Sequence, residues 1–132
     1  MGGRINSHRD LLVYQRARDL AHCVFLLSKK FPKEETYSLT DQIRRSSRSV
    51  ASNIAEAWRK RRYEAAFIAK LNDAEAEAAE TQSWLDQSVL CGYVTKTEIC
   101  EVDAEYESLL GSLVGMIAHA SSWTLKPPDH PG

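Results

Sequence analysis

The sequence has little that interrupts a helix. It holds 6 Gly and 4 Pro in 132 residues, and neither type occurs between Pro32 and Gly92. Three of the four prolines stand at positions 127, 128 and 131. A stretch this free of breakers favours long helices, and no alternating run marks a strand. Long apolar runs are also missing. The longest, Cys23 to Leu27, falls far short of the roughly 20 residues needed to cross a bilayer. Met1 to Asn6 contains no apolar signal region, so the expected compartment is the cytoplasm, with no membrane contact. Cysteine is scarce as well. Cys23, Cys91 and Cys100 form no Cys-x-x-Cys pair, and their odd number argues against a complete disulfide framework. The expectation is three reduced, buried thiols.

What is present is four amphipathic stripes. The first reads Val13, Ala17, Leu20, Val24, Leu27, Phe31, alternating steps of four and three. Pro32 should end that helix near Phe31. The second reads Leu39, Ile43, Ser47, Val50, Ile54, Ala57, with Thr36 or Ser38 as candidate N-cap. Seven of the twelve residues from Ser46 to Ala57 are Ser or Ala, which permits close helix–helix approach. The third reads Phe67, Leu71, Ala74, Ala78, Thr81, Leu85, Ser88, and Gly92 is a natural C′ residue after it. Thr95-Lys96-Thr97-Glu98 is a capping box that opens the fourth stripe: Ile99, Val102, Tyr106, Leu109, Leu113, Met116, Ala120, Trp123. Pattern alone would allow helices two and three to fuse. Repulsion among Arg59, Lys60, Arg61 and Arg62 places a tight turn there instead. The predicted fold is all-α, an antiparallel up-down-up-down four-helix bundle over residues 10–124. Its helices are placed at about 10–31, 38–59, 63–91 and 96–123. A flexible N-terminus (1–9) and a disordered Pro-rich tail (125–132) flank it.

Catalytic signatures are absent. A di-iron bundle needs Glu-x-x-His on two helices, and the sequence has none. Asp19-x-x-His22 is the nearest approach, but His22 lies about 180° from the first stripe at 100° per residue. His119 also points away from its stripe, and His8 and His130 lie near the ends. With no inward His, no Ser-His-Asp or Cys-His pairing can be argued, and no glycine-rich phosphate loop occurs. The acids Glu75, Glu77, Glu80 and Asp86 read as a solvated helix face. No metal, cofactor or enzymatic activity is expected.

Two features rise above this background. The first is charge. Formal net charge is −1, yet residues 1–63 carry 14 Lys/Arg against 6 Asp/Glu, while residues 64–132 carry 3 against 12. On helix two, Arg44, Arg48 and Arg59 fall within about 60° of each other opposite the apolar stripe, with Arg45 beside them. Lys60, Arg61 and Arg62 extend the patch into the turn. Cations flanked by Trp58 and Tyr63 suit phosphate contact plus base stacking on RNA or DNA. The competing reading is an ion-paired subunit interface, in a protein adaptor that touches no nucleic acid. The second feature is a small-residue stripe on helix four: Ser108, Gly111, Gly115, Ala118, Ser122. Two mid-helix glycines cost about 1 kcal/mol each relative to Ala. Close packing of a helix from a neighbouring subunit would offset that cost. A basic half meeting an acidic half is a heterologous contact, which closes into rings or runs on as filaments.

These residues resemble a known family. Phe31-Pro32-Lys33-Glu34-Glu35, then Leu39-Thr40-x-Gln42-Ile43-Arg44-Arg45, then Ser52-Asn53-Ile54-Ala55-Glu56 are similar to the small four-helix-bundle proteins also called 23S rRNA intervening-sequence proteins. Glu80-Thr81-Gln82 and Gly92-Tyr93 fit the later part of the pattern, so the similarity covers about residues 10–123. Ala57 stands where many members have Gly. The resemblance implies an up-down-up-down bundle, a homopentameric ring and no enzymatic activity. It also implies kinship with the accessory protein of diversity-generating retroelements, a basic pentamer that binds nucleic acid and a reverse transcriptase. The near-neutral charge of this chain departs from that relative. Gln42, Arg44, Arg45, Asn53 and Glu56 match the motif. Asn53 and Glu56 flank the apolar stripe, where polar groups fix register between helices or subunits. Arg44 and Arg45 are the phosphate-contact candidates.

Overall fold

Residues 4–125 are described by a computed structural model of the chain. The four stripes become four long helices: α1 (Leu12–Ser28), α2 (Leu39–Arg59), α3 (Glu64–Leu90) and α4 (Lys96–Ala118). A one-turn α5 (Ala120–Trp123) follows, and short 3-10 turns cover His8–Asp10 and Lys33–Glu35. Among the described residues there is no strand, and no helix is long and apolar enough to cross a membrane.

Side-chain pairs across the helices fix their directions. Near the start of α1, Arg16 donates to Ser108 Oγ (2.8 Å) and Ser112 Oγ (3.3 Å), both late in α4. Just beyond the other end of α1, Lys30 pairs with Glu98 at the start of α4. Arg44, early in α2, donates to Ser28 at the end of α1 (2.8 Å). Lys70 of α3 reaches back across the α2–α3 turn to Glu56 (3.5 Å). Gln82 of α3 donates to Glu107 of α4 (3.2 Å). The α1–α2, α2–α3 and α1–α4 pairs set one helix's end against the other's opposite half, as antiparallel neighbours do, while Gln82 and Glu107 meet nearer mid-helix. α2 and α3 share the most extensive contact, and α1 against α4 closes the bundle.

The stripes meet in one core. All seven residues of the α3 stripe are buried, as are all six of the α2 stripe. Leu27, Val102 and Trp123 are half-buried against its margin. Two hydroxyls inside, Ser46 Oγ and Thr81 Oγ1, satisfy each other at 2.8 Å. Tyr106 is fully buried, and its hydroxyl meets no hydrogen-bonding group among the described residues. That burial disfavours the phenolate and pushes the Tyr106 pKa up.

Helix ends follow local chemistry. α1 stops at Ser28, three residues earlier than expected, because its last turn tightens. The N–H groups of Lys29, Lys30 and Phe31 bond to Leu26, Leu27 and Ser28 carbonyls in i→i−3 fashion. Ser38 sits at the N-cap of α2, but its hydroxyl caps nothing. It donates instead to Glu35, whose carboxylate accepts the Leu39 N–H (3.2 Å) and the Tyr93 hydroxyl (2.6 Å). Glu35 therefore caps α2 and ties the first connection to the third. The α2–α3 turn falls at Lys60–Tyr63, and Leu125 N–H bonds to Arg61 O there (2.9 Å). After α3, Gly92 takes φ 78°, with Tyr93 N–H to Ser88 O and Gly92 N–H to Val89 O, a Schellman stop. Thr95 and Glu98 form the reciprocal capping box of α4. Helix four breaks at His119 (φ −113°, ψ 33°) rather than running to residue 123. At the N-terminus, residues 8–10 form a 3-10 turn capped reciprocally by Ser7 and Asp10, and buried Leu11 precedes α1. Of the expected disordered tail, residues 126–132 lie outside the described residues. The three cysteines are all exposed, contrary to expectation: Cys23 and Cys100 sit one position off their stripes, and Cys91 lies at the end of α3.

Removing an unpaired buried hydroxyl should stabilise the fold, so Tyr106→Phe is expected to add about 1 kcal/mol in urea unfolding. A second expectation concerns acid. Glu35 is held below its ordinary pKa by hydrogen bonds from Ser38, Tyr93 and the Leu39 backbone, and Glu98 by Lys30 and the Thr95 backbone. Both folded pKa values lie below the unfolded ones. Their stabilisation is therefore complete above the ordinary carboxylate value of about 4.3 and is lost as pH falls beneath it. Thermal midpoints measured from pH 7 down to pH 3 should drop at the acid end, less steeply in Glu35→Gln/Glu98→Gln.

Candidate nucleic-acid interface

The predicted basic patch divides into three places. Arg44 and Arg48 project from α2 toward α1 and share one aromatic ring. The Arg44 guanidinium lies 4.7 Å from the Phe25 centroid and that of Arg48 lies 5.6 Å away. Lys29 Nζ approaches the same ring at 4.9 Å. His22 stacks on Phe25 at 6.1 Å, and a shallow groove between the helices is lined by Arg18, Ala21, His22, Phe25, Arg48 and Ala51. Arg45 lies on the other flank of α2 and pairs with Asp41 (3.8 Å). It is close enough to α3 to oppose the rise in the Glu77 pKa that burial, Glu80 and Asp73 produce. Arg45 is thus separated from Arg44 and Arg48.

The third place is the end of the bundle. Arg59, Lys60 and Arg62 are exposed there, without a carboxylate partner among the described residues. Burial together with Arg9 and Arg59 holds the His8 pKa below its usual value. Arg61 is different. Its guanidinium lies 3.3 Å from the Trp58 ring centroid, its Nε donates to Trp58 O (2.8 Å), and burial plus Arg59 lower its pKa. Arg61 serves the turn. Trp58 is buried beneath it, so it offers no face to a base, contrary to expectation. Tyr63 remains exposed.

Sequence reasoning missed Phe25, the residue that gathers the cations. The signal was present. Arg18, His22, Phe25 and Lys29 repeat at steps of four, three and four, a second stripe on α1 beside the apolar one.

The interface candidates separate as well. Glu56 is used within the chain by Lys70, and Asn53 is half-buried on α2. Ser108 faces α1 and accepts from Arg16. Gly111, Gly115 and Ala118 are exposed on α4, and a Cβ added at either glycine meets nothing within 4 Å. Ser122 lies beyond the His119 break, on α5. Beside Gly111, the groove between α3 and α4 is lined by Ala65, Ile68, Ala69, Ala76, Val114 and Ile117, among others. Charge stays segregated. Among the described residues, Lys30–Glu98 is the ion pair that joins a cation of the basic half to a carboxylate of the acidic half.

Residues 9–115 match the profile of the 23S rRNA-intervening sequence proteins. The chain belongs to that family. A solved structure from Bacteroides thetaiotaomicron, described as a protein of unknown function from the S23 ribosomal protein family, is 29% identical with a TM-score of 0.72. The similarity covers 80% of this chain and 98% of that one. No curated protein matches the chain significantly. The family match reaches from the N-terminal 3-10 turn to Gly115 and so includes the arginines of α2 and the acidic surface of α3. Within this member of the family, no three His, Cys, Asp or Glu side chains among the described residues are grouped to hold a metal.

Arg61 and Arg62 should part company on substitution. Arg61→Ala removes a cation–π contact and a hydrogen bond, and is expected to lower stability by about 1–2 kcal/mol. Arg62→Ala should be close to neutral. Paired denaturant melts of the two variants check this.

Proposed function

We propose that this family member is a non-enzymatic, cytoplasmic scaffold that assembles as a homopentameric ring and binds RNA or DNA through the arginine-bearing surface of α1 and α2. The supporting observation is segregation of charge. Lys29, Arg44, Arg48, Arg59, Lys60 and Arg62 have no carboxylate in ion-pair range among the described residues, whereas Arg18 and Arg45 pair with Asp19 and Asp41; of the acids of α3 and α4 among the described residues, Asp73 and Glu98 alone pair with a cation. A surface of one sign attracts the opposite sign locally, whatever the net charge. The small-residue groove of α3 and α4 supplies the ring contact in this reading, with Gly111, Gly115 and Ala118 admitting a neighbour's helix closely. The arginines are thereby free for phosphate.

One pair of measurements separates this from the adaptor reading. Light scattering gives assembly mass, and fluorescence anisotropy gives affinity for a labelled RNA 20-mer, both as salt is raised. Ring mass is expected to persist while RNA affinity falls steeply with salt. Arg44→Glu/Arg48→Glu should weaken RNA binding by at least about tenfold with the mass unchanged. If the double variant dissociates the ring and leaves RNA binding intact, the arginines serve the subunit contact and the adaptor reading replaces this one.

A further inference from the structure

We propose that the seam between α1 and α2 is a phosphate-backbone track for nucleic acid, and that Phe25 is a positioning residue that holds Lys29, Arg44 and Arg48 together as its strongest station. This rests on the nucleic-acid reading above and assigns its site. Three cations within 4.7–5.6 Å of one ring centroid repel each other, and no carboxylate among the described residues lies in ion-pair range of any of them. Two things keep them there. The negative face of the half-buried ring attracts each cation. The buried Ser28 hydroxyl accepts from Arg44 Nε at 2.8 Å, which fixes the guanidinium before any ligand arrives. A bound phosphate relieves the repulsion and meets donors already in place, so little side-chain entropy is lost on binding.

The track continues along the seam. From the Lys29 and Arg44 end, α1 and α2 run antiparallel past Arg48 and His22 to Arg18. The seam finishes where Arg59 meets the turn carrying His8 and Arg9. Arg44 to Arg59 spans about 22 Å of helix, room for several phosphates of an extended strand. The acids beside it are Asp19, paired with Arg18 at 3.0 Å, and Asp10, whose carboxylate accepts the Asn6 and Ser7 N–H groups. Asp41 and Glu56 engage Arg45 and Lys70 on the opposite flank of α2. Because cations cover the ring, Phe25 is not a base-stacking platform. The track reads backbone charge and not sequence.

The test uses the full chain and a labelled single-stranded RNA 20-mer, with affinity measured over a range of salt. Lys29→Gln/Arg44→Gln/Arg48→Gln should weaken binding at least about tenfold and reduce the salt slope by about 2, the loss of three phosphate contacts on a single strand. The charge-matched Lys33→Gln/Lys70→Gln/Lys96→Gln, at cations away from the seam, should change affinity less than about threefold. Phe25→Leu keeps every charge and an apolar cover for the seam, yet should weaken binding about threefold or more, whereas Phe25→Tyr, which keeps the ring face, should restore it. Helical circular dichroism confirms that each variant is folded. Equal losses from the two triple variants, or full binding by Phe25→Leu, would overturn the track while leaving the nucleic-acid reading in place. Absence of RNA binding by the unaltered protein at low salt would remove both.

Discussion

Many of the side chains that α2 and α3 bury are small. Ser46, Ser47, Ala57, Ala74, Ala78 and Thr81 are all within about one per cent of complete burial. Small groups let two helices lie close along their length, and the Ser46–Thr81 hydrogen bond satisfies the hydroxyls trapped there. The pair forms a hairpin closed by a short cationic turn, and α1 and α4 dock on it through larger residues such as Val24, Tyr106, Leu109 and Leu113. The bundle is therefore asymmetric in cross-section. Its narrow seam between α2 and α3 fixes which face of α2 remains for α1, and so decides that Arg44 and Arg48 meet Phe25 while Arg45 is turned toward the acids of α3.

That geometry explains why the fold was legible in the sequence and the site only partly so. An apolar stripe reports burial directly. A residue at the right angle on a helix goes inward whatever its neighbours are, and the stripes of α2 and α3 are buried without exception. Gly92 and the Thr95–Glu98 box were equally legible, because their chemistry is complete within a few residues. The cap of α2 was not. Glu35 caps it through a carboxylate that also holds Tyr93 from 58 residues away, and no local pattern contains that contact. The arginine patch failed for a related reason. A helical wheel put Arg44, Arg45, Arg48 and Arg59 on one arc, but the arc is shared between two neighbouring helices, and each arginine answers to the neighbour it touches. Trp58 was misread in the same way, since its cover comes from Arg61 beyond the end of the helix.

Segregated charge and a marginal fold pull against each other. Like charges crowded on α1 and α2 raise the free energy of the compact state. Pairing them across the two halves of the bundle would remove that cost, yet Lys30–Glu98 is the cross-half pair of this kind among the described residues. Part of the cost is met inside the chain by unlike means. Phe25 accepts three cations on its face, Trp58 accepts Arg61, and the hydroxyls of Ser28 and Ser108 accept Arg44 and Arg16. These contacts order the cations without neutralising them. A salt bridge would have ordered them too, but it would have cancelled the field outside.

The distinction bears on how the α1–α2 surface would serve the proposed binding. If the arginines were held by carboxylates of the same chain, a phosphate would have to displace those partners, and little net attraction would survive. If they were held by nothing, each long side chain would lose its freedom on binding, at a cost of about 0.5–1.5 kcal/mol apiece. Aromatic and hydroxyl partners avoid both penalties, because they restrain the side chain and leave its charge available. Among the described residues, no carboxylate of α3 or α4 lies in ion-pair range of Lys29, Arg44 or Arg48, and exposed charges farther apart than the Debye length of about 8 Å at physiological salt are largely screened from each other. Those carboxylates set the net charge of −1 without quenching the seam. Near-neutrality of the whole chain is thus compatible with a strongly basic track, and the pI is a poor guide to what the α1–α2 face attracts.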